Sequence, residues 1–87
     1  MSQPKVEIYT KAWCGYCFRA KRLLDAKGVE YTEYDITRGG PRQAEMLERK
    51  PDARTVPQIF INGCAVGGSD DLAQLDRVGK LDGLLGL

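Results

Sequence analysis

Two cysteines separated by two residues, Cys14 and Cys17, are the side chains of this sequence best suited to covalent chemistry. They follow an apolar, strand-like run and precede a helix-like one. The first N–H groups of a helix have no partner within it and carry the positive end of the helix dipole, so they stabilise an anion. A cysteine there is favoured as the thiolate, the form that attacks disulfides. A second thiol within reach can then release the first by forming a disulfide with it.

The same spacing also occurs in zinc sites, and the composition argues against that alternative. A closed zinc site takes four cysteine or histidine ligands, whereas the chain has three cysteines and no histidine. We therefore expect no metal site in the monomer and favour redox chemistry. Cys14 is predicted to be the nucleophile and Cys17 the more buried, resolving thiol. Cys64 has no activating neighbour in the sequence, so we expect it to be structural or adventitious.

Size and charge narrow the class of protein further. A chain of 87 residues predicts one domain, residues 1–87. A net charge of +1 gives no general electrostatic reason to expect nucleic acid or an anionic membrane as a partner. No segment approaches the ~20 apolar residues of a membrane span, and the first residues lack a signal-peptide pattern. An odd number of cysteines argues against a disulfide-stapled secreted protein. We expect a cytoplasmic protein.

The dithiol lies between elements whose patterns are clear. Residues 6–10 alternate like a strand, and apolar positions from Cys17 onward recur at helical spacing until Gly28, a typical helix stop. The composition of residues 31–36 predicts a second strand. This β-α-β order predicts two parallel strands joined by a right-handed crossover.

The second half of the chain continues with a helix, a hairpin and two further helices. Pro41 suits the first turn of a helix that runs to about Lys50 and turns Met46 and Leu47 inward. Asn-Gly at 62–63, between two short apolar runs, predicts a two-residue hairpin turn. Ser69 and Asp70 resemble a helix N-cap, and leucines from residue 81 onward suggest a short last helix. The predicted fold is α/β, with a four-stranded mixed sheet flanked by helices.

Three motifs, in this order, make the chain resemble the glutaredoxins from about residue 5 to residue 85. They are Lys11-x-x-Cys14-Gly15-Tyr16-Cys17, Thr55-Val56-Pro57-Gln58-Ile59-Phe60-Ile61 and Gly67-Gly68-Ser69-Asp70-Asp71-Leu72. The resemblance implies a thioredoxin-like fold and a glutathione-dependent thiol–disulfide oxidoreductase. Its substrates would be glutathione mixed disulfides and protein disulfides, its co-substrate glutathione, and its state a monomer.

The resemblance also implies where glutathione binds. The γ-glutamyl carboxylate is expected on the N–H groups of Ser69 and Asp70, with the ammonium on the Asp70 carboxylate. The Val56 backbone is expected to pair with the peptide, and Lys11, assisted by Gln43 or Arg54, to hold the glycyl carboxylate. Trp13 is expected to pack beside the site. The complete set of expected glutathione-binding residues is Lys11, Tyr16, Thr55, Val56, Pro57, Gly68, Ser69 and Asp70.

For the Val56–Pro57 bond, the residues and the resemblance lead to different predictions. Only ~5–6% of X–Pro bonds in folded proteins are cis, so the residues favour trans. The resemblance implies a cis bond that faces the dithiol.

Gly15 departs from the family pattern, because the commonest dithiol members have proline there. That departure leaves a second hypothesis open, in which a 2Fe–2S cluster is bridged between the two subunits of a dimer. Each subunit would supply Cys14, and two glutathiones would complete the four thiolate ligands. A third hypothesis keeps the fold but takes electrons from thioredoxin reductase, because Trp13-Cys14-Gly15 is similar to thioredoxin.

Overall fold

The computed structural model describes residues 3–87 of the chain. Strands and helices alternate in its first half, and a hairpin followed by helices makes up its second half. In chain order the described elements are β1 (Val6–Thr10), α1 (Gly15–Ala26), β2 (Thr32–Asp35), α2 (Pro41–Arg49), β3 (Gln58–Ile61), β4 (Cys64–Gly67), α3 (Ser69–Arg77) and α4 (Leu81–Leu84).

The four strands form one mixed sheet in the order β2-β1-β3-β4. β1 pairs with β2 in parallel and with β3 antiparallel, and β3 pairs antiparallel with β4. The predicted fold class and the parallel β1-α1-β2 unit are therefore confirmed. The hairpin turn is also where the sequence predicts it: Asn62 and Gly63 have φ angles of 52° and 83°, as a type I′ turn requires.

Both faces of the sheet are covered, and β1 and β3 lie in the middle. The first face carries the larger apolar cluster, to which α1, α3 and α4 contribute: Val6, Ile8, Ala20, Leu24, Ile59, Ile61, Leu72, Leu81 and Leu85. The second face packs against α2 through Tyr9, Ile36, Met46, Ala53 and Phe60. Successive side chains of a strand point to opposite faces, so each central strand supplies residues to both clusters.

Arg49, the last residue of α2, attaches that helix to the centre of the sheet. Its guanidinium donates to Glu7 Oε1 at 3.0 Å and to the Tyr9 hydroxyl at 3.0 Å, and it lies 4.0 Å from the centre of the Phe60 ring. Burial by itself would raise the pKa of Glu7, but hydrogen bonds from Arg49 and Tyr34 outweigh it and hold that pKa below its ordinary value. Glu7 is therefore a buried carboxylate whose charge depends on Arg49.

Two local expectations are wrong. Leu47 is exposed, because α2 contacts the sheet through a narrow stripe that includes its neighbour Met46 but not Leu47. Ser69 is the first residue of α3 and not its cap: Gly68 takes the N-cap position. Asp71 replaces the expected cap, since its carboxylate accepts the Gly68 N–H at 2.9 Å.

Replacing Arg49 with methionine should destabilise the protein strongly at neutral pH. The change leaves the Glu7 carboxylate buried without its cation, and removing one partner of a buried pair costs about 3 kcal/mol. Without Arg49 the pKa of Glu7 in the folded state should rise above its unfolded value, so the missing stability should partly return below about pH 4. Urea unfolding at neutral and acidic pH measures both effects.

Lys50→Met is the matched control, since it changes the adjacent residue. Lys50 pairs with Asp52 at 3.2 Å, but the Asp52 side chain is 81% exposed, and exposed pairs contribute ~0–1 kcal/mol. An equal loss of stability in both variants would show that the Arg49–Glu7 contact has no special weight.

Candidate active site

Cys14 lies where the chain leaves β1 and enters α1, and its sulfur caps the helix. The residue is in an extended conformation, with φ −107° and ψ 105°, and its Sγ accepts the Cys17 N–H at 3.2 Å. On its other side Sγ lies 3.7 Å from the carbonyl oxygen of Val56. The thiol is partly exposed, so a disulfide can reach it. Cys14 is the N-cap residue of α1, which is the position that the sequence predicts for it.

Cys17 is one turn further along α1 and faces the core. It is 2% exposed, and burial followed by its contact with Cys14 raises its pKa to about 12. A thiol with such a pKa stays protonated at neutral pH and is a poor nucleophile until its surroundings change. The two cysteines thus differ in exposure in the sense expected for a nucleophile and a resolving thiol.

The second wall of the site comes from the turn before β3. The Val56–Pro57 peptide bond is cis, as the resemblance implies and the residues by themselves do not. Gln58, the first residue of β3, donates its Nε2 hydrogen to the Thr55 carbonyl at 2.9 Å and so holds this turn against the sheet. Because β3 pairs with β1, the turn is brought to the end of the sheet where Cys14 lies.

The third wall is the start of α3. Gly67 has a φ of +114°, and a Cβ there would lie 2.3 Å from the Asp71 carboxylate, so only glycine fits. Gly68 approaches the opposite wall: a Cβ on it would lie 3.4 Å from the Pro57 carbonyl oxygen. The first N–H groups of α3 have no partner within the helix, so this end can receive an anion.

Tyr16 of α1, the Val56–Pro57 turn and the start of α3 line an open cleft of about 630 Å³. It brings together most of the residues expected to bind glutathione: Tyr16, Thr55, Val56, Pro57, Gly68, Ser69 and Asp70. Lys11 lies elsewhere, in a neighbouring groove of about 520 Å³ that is also lined by Cys14 and Cys17. Cys14 lines this groove and adjoins the first cleft through Val56, whose carbonyl oxygen lies 3.7 Å from Sγ.

Sequence reasoning misplaced some residues near the site and missed others. Trp13 lies beside Cys14, in the groove that both residues line, but its side chain is fully exposed and therefore not packed; its φ is 60°. Gln43 and Arg54 do not line the cleft, whereas Lys50 does. From the sequence, Lys50 could be predicted only to lie at the end of a helix. Its place in the cleft depends on the start of α3, which is distant in the sequence.

Comparison with known proteins decides the family. The glutaredoxin family model matches residues 6–66. The chain belongs to the glutaredoxin family. It is 54% identical over 82 residues to a glutaredoxin of Pseudomonas aeruginosa, covering 94% of this chain and 96% of that protein. It is 51% identical over 80 residues to glutaredoxin 3 of Escherichia coli, covering 92% and 95%.

Solved structures of glutaredoxins superpose closely on this one. A crystal structure of a buckwheat glutaredoxin–glutathione complex has a TM-score of 0.84 at 34% identity, covering 95% of this chain and 77% of that one. The solution structure of a glutaredoxin from Brucella melitensis has a TM-score of 0.82 at 49% identity, covering 98% and 91%. The thioredoxin-like fold is confirmed, and membership of this family makes the chain a thiol–disulfide oxidoreductase.

Neither a membrane-spanning helix nor a cluster of metal-binding side chains occurs among residues 3–87. No helix in that range is long and apolar enough to cross a membrane. In the same residues no three cysteine, aspartate or glutamate side chains are grouped as a metal site would require. The iron–sulfur cluster that the sequence leaves open would take one cysteine, Cys14, from each of two chains, so such a grouping does not test it.

The two active-site thiols should differ sharply in reactivity. At neutral pH iodoacetamide should alkylate Cys14 and leave Cys17 unmodified, because Cys17 is buried and its pKa is raised to about 12. A Cys64→Ser background removes the exposed third thiol, and mass spectrometry of peptides locates the label. Denatured protein is the control, in which both thiols should react; equal labelling of the two in the native protein would contradict the difference in environment.

Gly15→Pro should stabilise the protein by about 0.4–1 kcal/mol by restricting the unfolded chain. Position 15 is the first residue of α1, where proline is well accepted, and a Cβ on Gly15 meets nothing within 4 Å. The extended backbone of Cys14 also suits a residue that precedes proline. The midpoint of urea unfolding measures the change.

Gly28→Ala is the contrasting variant. A Cβ on Gly28 would also meet open space, but the φ of this residue is +71°. This conformation costs about 1–2 kcal/mol for a residue with a side chain, so Gly28→Ala should lower the stability.

A lower stability for Gly15→Pro than for the wild type would show that glycine serves a conformational need at position 15.

Proposed function

We propose that this glutaredoxin uses glutathione as its reductant and acts on glutathione mixed disulfides and protein disulfides. The observation that carries the proposal is the cleft itself: the Val56–Pro57 turn and the start of α3 line it together, and Val56 reaches Cys14. The similarity to a solved glutathione complex of a glutaredoxin supports the same ligand.

Each part of the tripeptide finds a suitable group near Cys14. The γ-glutamyl carboxylate suits the N–H groups of Ser69 and Asp70, which lie in the first turn of α3 and have no partner within the helix, and the ammonium suits the Asp70 carboxylate. The Val56 backbone can pair with the cysteinyl unit as a strand edge does. Tyr16, which is 56% exposed, can cover the bound tripeptide. Lys11 would reach the glycyl carboxylate from the neighbouring groove.

Removal of glutathione from a protein thiol needs only one cysteine of the enzyme. The Cys14 thiolate attacks the glutathione sulfur, a Cys14–glutathione disulfide forms, and the protein leaves as a thiolate that takes a proton from water. The thiolate of a second glutathione then attacks the same glutathione sulfur. Oxidised glutathione forms, and Cys14 leaves as the thiolate with which it began.

Reduction of a protein disulfide also requires Cys17. The Cys14 thiolate attacks one sulfur of the substrate disulfide, and the other sulfur leaves as a thiolate. Cys17 then gives its proton to solvent and attacks Cys14 Sγ, which displaces the remaining substrate sulfur as a thiolate. Contact with Cys14 contributes to the raised pKa of Cys17, and that contribution falls once Cys14 is no longer an anion. The pKa of Cys17 should therefore fall in the mixed disulfide, although burial, the larger cause of its rise, remains. Two glutathiones afterwards reduce the Cys14–Cys17 disulfide.

Turnover with glutathione and glutathione reductase tests the proposal directly. A glutathionylated peptide should be reduced rapidly with this system and slowly with thioredoxin reductase, and NADPH consumption reports both rates. Cys14→Ser should lose activity on the peptide and on a protein disulfide. Cys17→Ser should lose only the second activity, because the first route does not use Cys17.

Two outcomes would contradict the scheme. Faster turnover with thioredoxin reductase than with glutathione would identify a different reductant. Complete loss of peptide deglutathionylation in Cys17→Ser would rule out the route through Cys14 by itself. Cys64→Ser is the control for a third thiol and should leave both activities as they are, because Cys64 lies outside the cleft.

A further inference from the structure

Lys50 is the basic side chain among the residues that line the cleft, and the mechanism above makes no use of it. The other charged residues of the lining are Asp70 and Asp71, at the start of α3. The cleft thus offers anionic groups and a single ammonium. A ligand that carries both a carboxylate and an ammonium complements such a lining.

The present partner of Lys50 is one that a ligand can displace. Lys50 Nζ lies 3.2 Å from Asp52 Oδ1, and the two side chains are 29% and 81% exposed. Exposed pairs of this kind contribute ~0–1 kcal/mol, so exchange of one carboxylate for another costs little. The backbone that carries the pair is held, because the Ala53 N–H donates to the Lys50 carbonyl at 3.0 Å and the Lys50 N–H donates to the Met46 carbonyl at 2.8 Å.

We propose that Lys50 is a specificity-determining residue that binds a carboxylate of the glutathionyl group, with Asp52 occupying its ammonium when the cleft is empty. The proposal rests on the proposed function, because it presumes that the glutathionyl group binds in this cleft. It adds a cation inside the cleft to Lys11, which would approach the ligand from the neighbouring groove. The carboxylate is either the γ-glutamyl or the glycyl one.

Kinetics of the full-length protein on a glutathionylated peptide test the role. Lys50→Met should raise KM about fivefold and leave kcat within about twofold, since the lost contact binds the substrate and takes no part in bond exchange. Lys50→Arg should restore KM to near the wild-type value. Asp52→Asn should lower KM about twofold, because it removes the competing carboxylate.

Lys80→Met is the matched control. Lys80 is exposed and lies outside the cleft, so its removal changes net charge equally without touching the site. A rise in KM equal to that of Lys50→Met would attribute the effect to general electrostatic attraction and overturn the proposal. Unfolding midpoints of both variants keep loss of fold apart from loss of binding.

Two altered substrates identify the carboxylate. One carries the glycyl carboxylate as an amide, and the other carries 4-aminobutanoyl in place of γ-glutamyl, which removes the α-carboxylate and keeps an ammonium. KM for the analogue that lacks the relevant carboxylate should no longer respond to Lys50→Met. Sensitivity that persists in both analogues, or is absent with glutathione itself, would overturn the role of Lys50.

The same experiments separate this proposal from the proposed function. If Lys50→Met has the KM of the wild type while Cys14→Ser is inactive with glutathione, glutathione is supported as the reductant and the proposed role of Lys50 is wrong. If the wild type shows no glutathione-dependent turnover, the proposed function fails, and the Lys50 contact fails with it.

Discussion

The contact between Cys14 Sγ and the Cys17 N–H is the interaction on which the site depends. Through it the sulfur atom predicted to be the nucleophile is also the acceptor that begins α1. The helix therefore cannot start elsewhere without moving the reactive atom. β1 determines where the chain turns into this helix, and all five residues of β1 are buried. The position of the thiol is thus determined by the centre of the sheet and not by a surface loop.

The antiparallel pairing of β1 with β3 supplies the other half of the site. It sets the Val56–Pro57 turn beside Cys14, and the β3–β4 hairpin then brings the start of α3 to the same end of the sheet. Asn62 holds the opposite end, since its side chain accepts the Lys5 N–H and its own N–H donates to the Lys5 carbonyl. Register matters because a slip by one residue would turn every core side chain of a strand to the wrong face.

Sequence reasoning succeeded where structure follows from neighbouring residues. Strand alternation, the Gly28 stop and the Asn62–Gly63 turn are local patterns, and the order of elements predicts the sheet. It failed where a distant segment decides. Trp13 is fully exposed where packing was expected. Lys50 lines the cleft together with the start of α3, which is distant in the sequence. The resemblance, and not any local preference, indicated the cis Val56–Pro57 bond. The site residues themselves remain predictions.

The order of the strands has a consequence for the chain during synthesis. Cys14 comes early in the chain, whereas the turn, the hairpin and α3 that line the neighbouring cleft come from its second half. β1, which leads into Cys14, pairs with β2 on one side and with β3 on the other, so its hydrogen-bonding edges are both paired only when β3 is in place. The cleft beside Cys14 is therefore complete only when the C-terminal half of the chain has been made and has paired with β1.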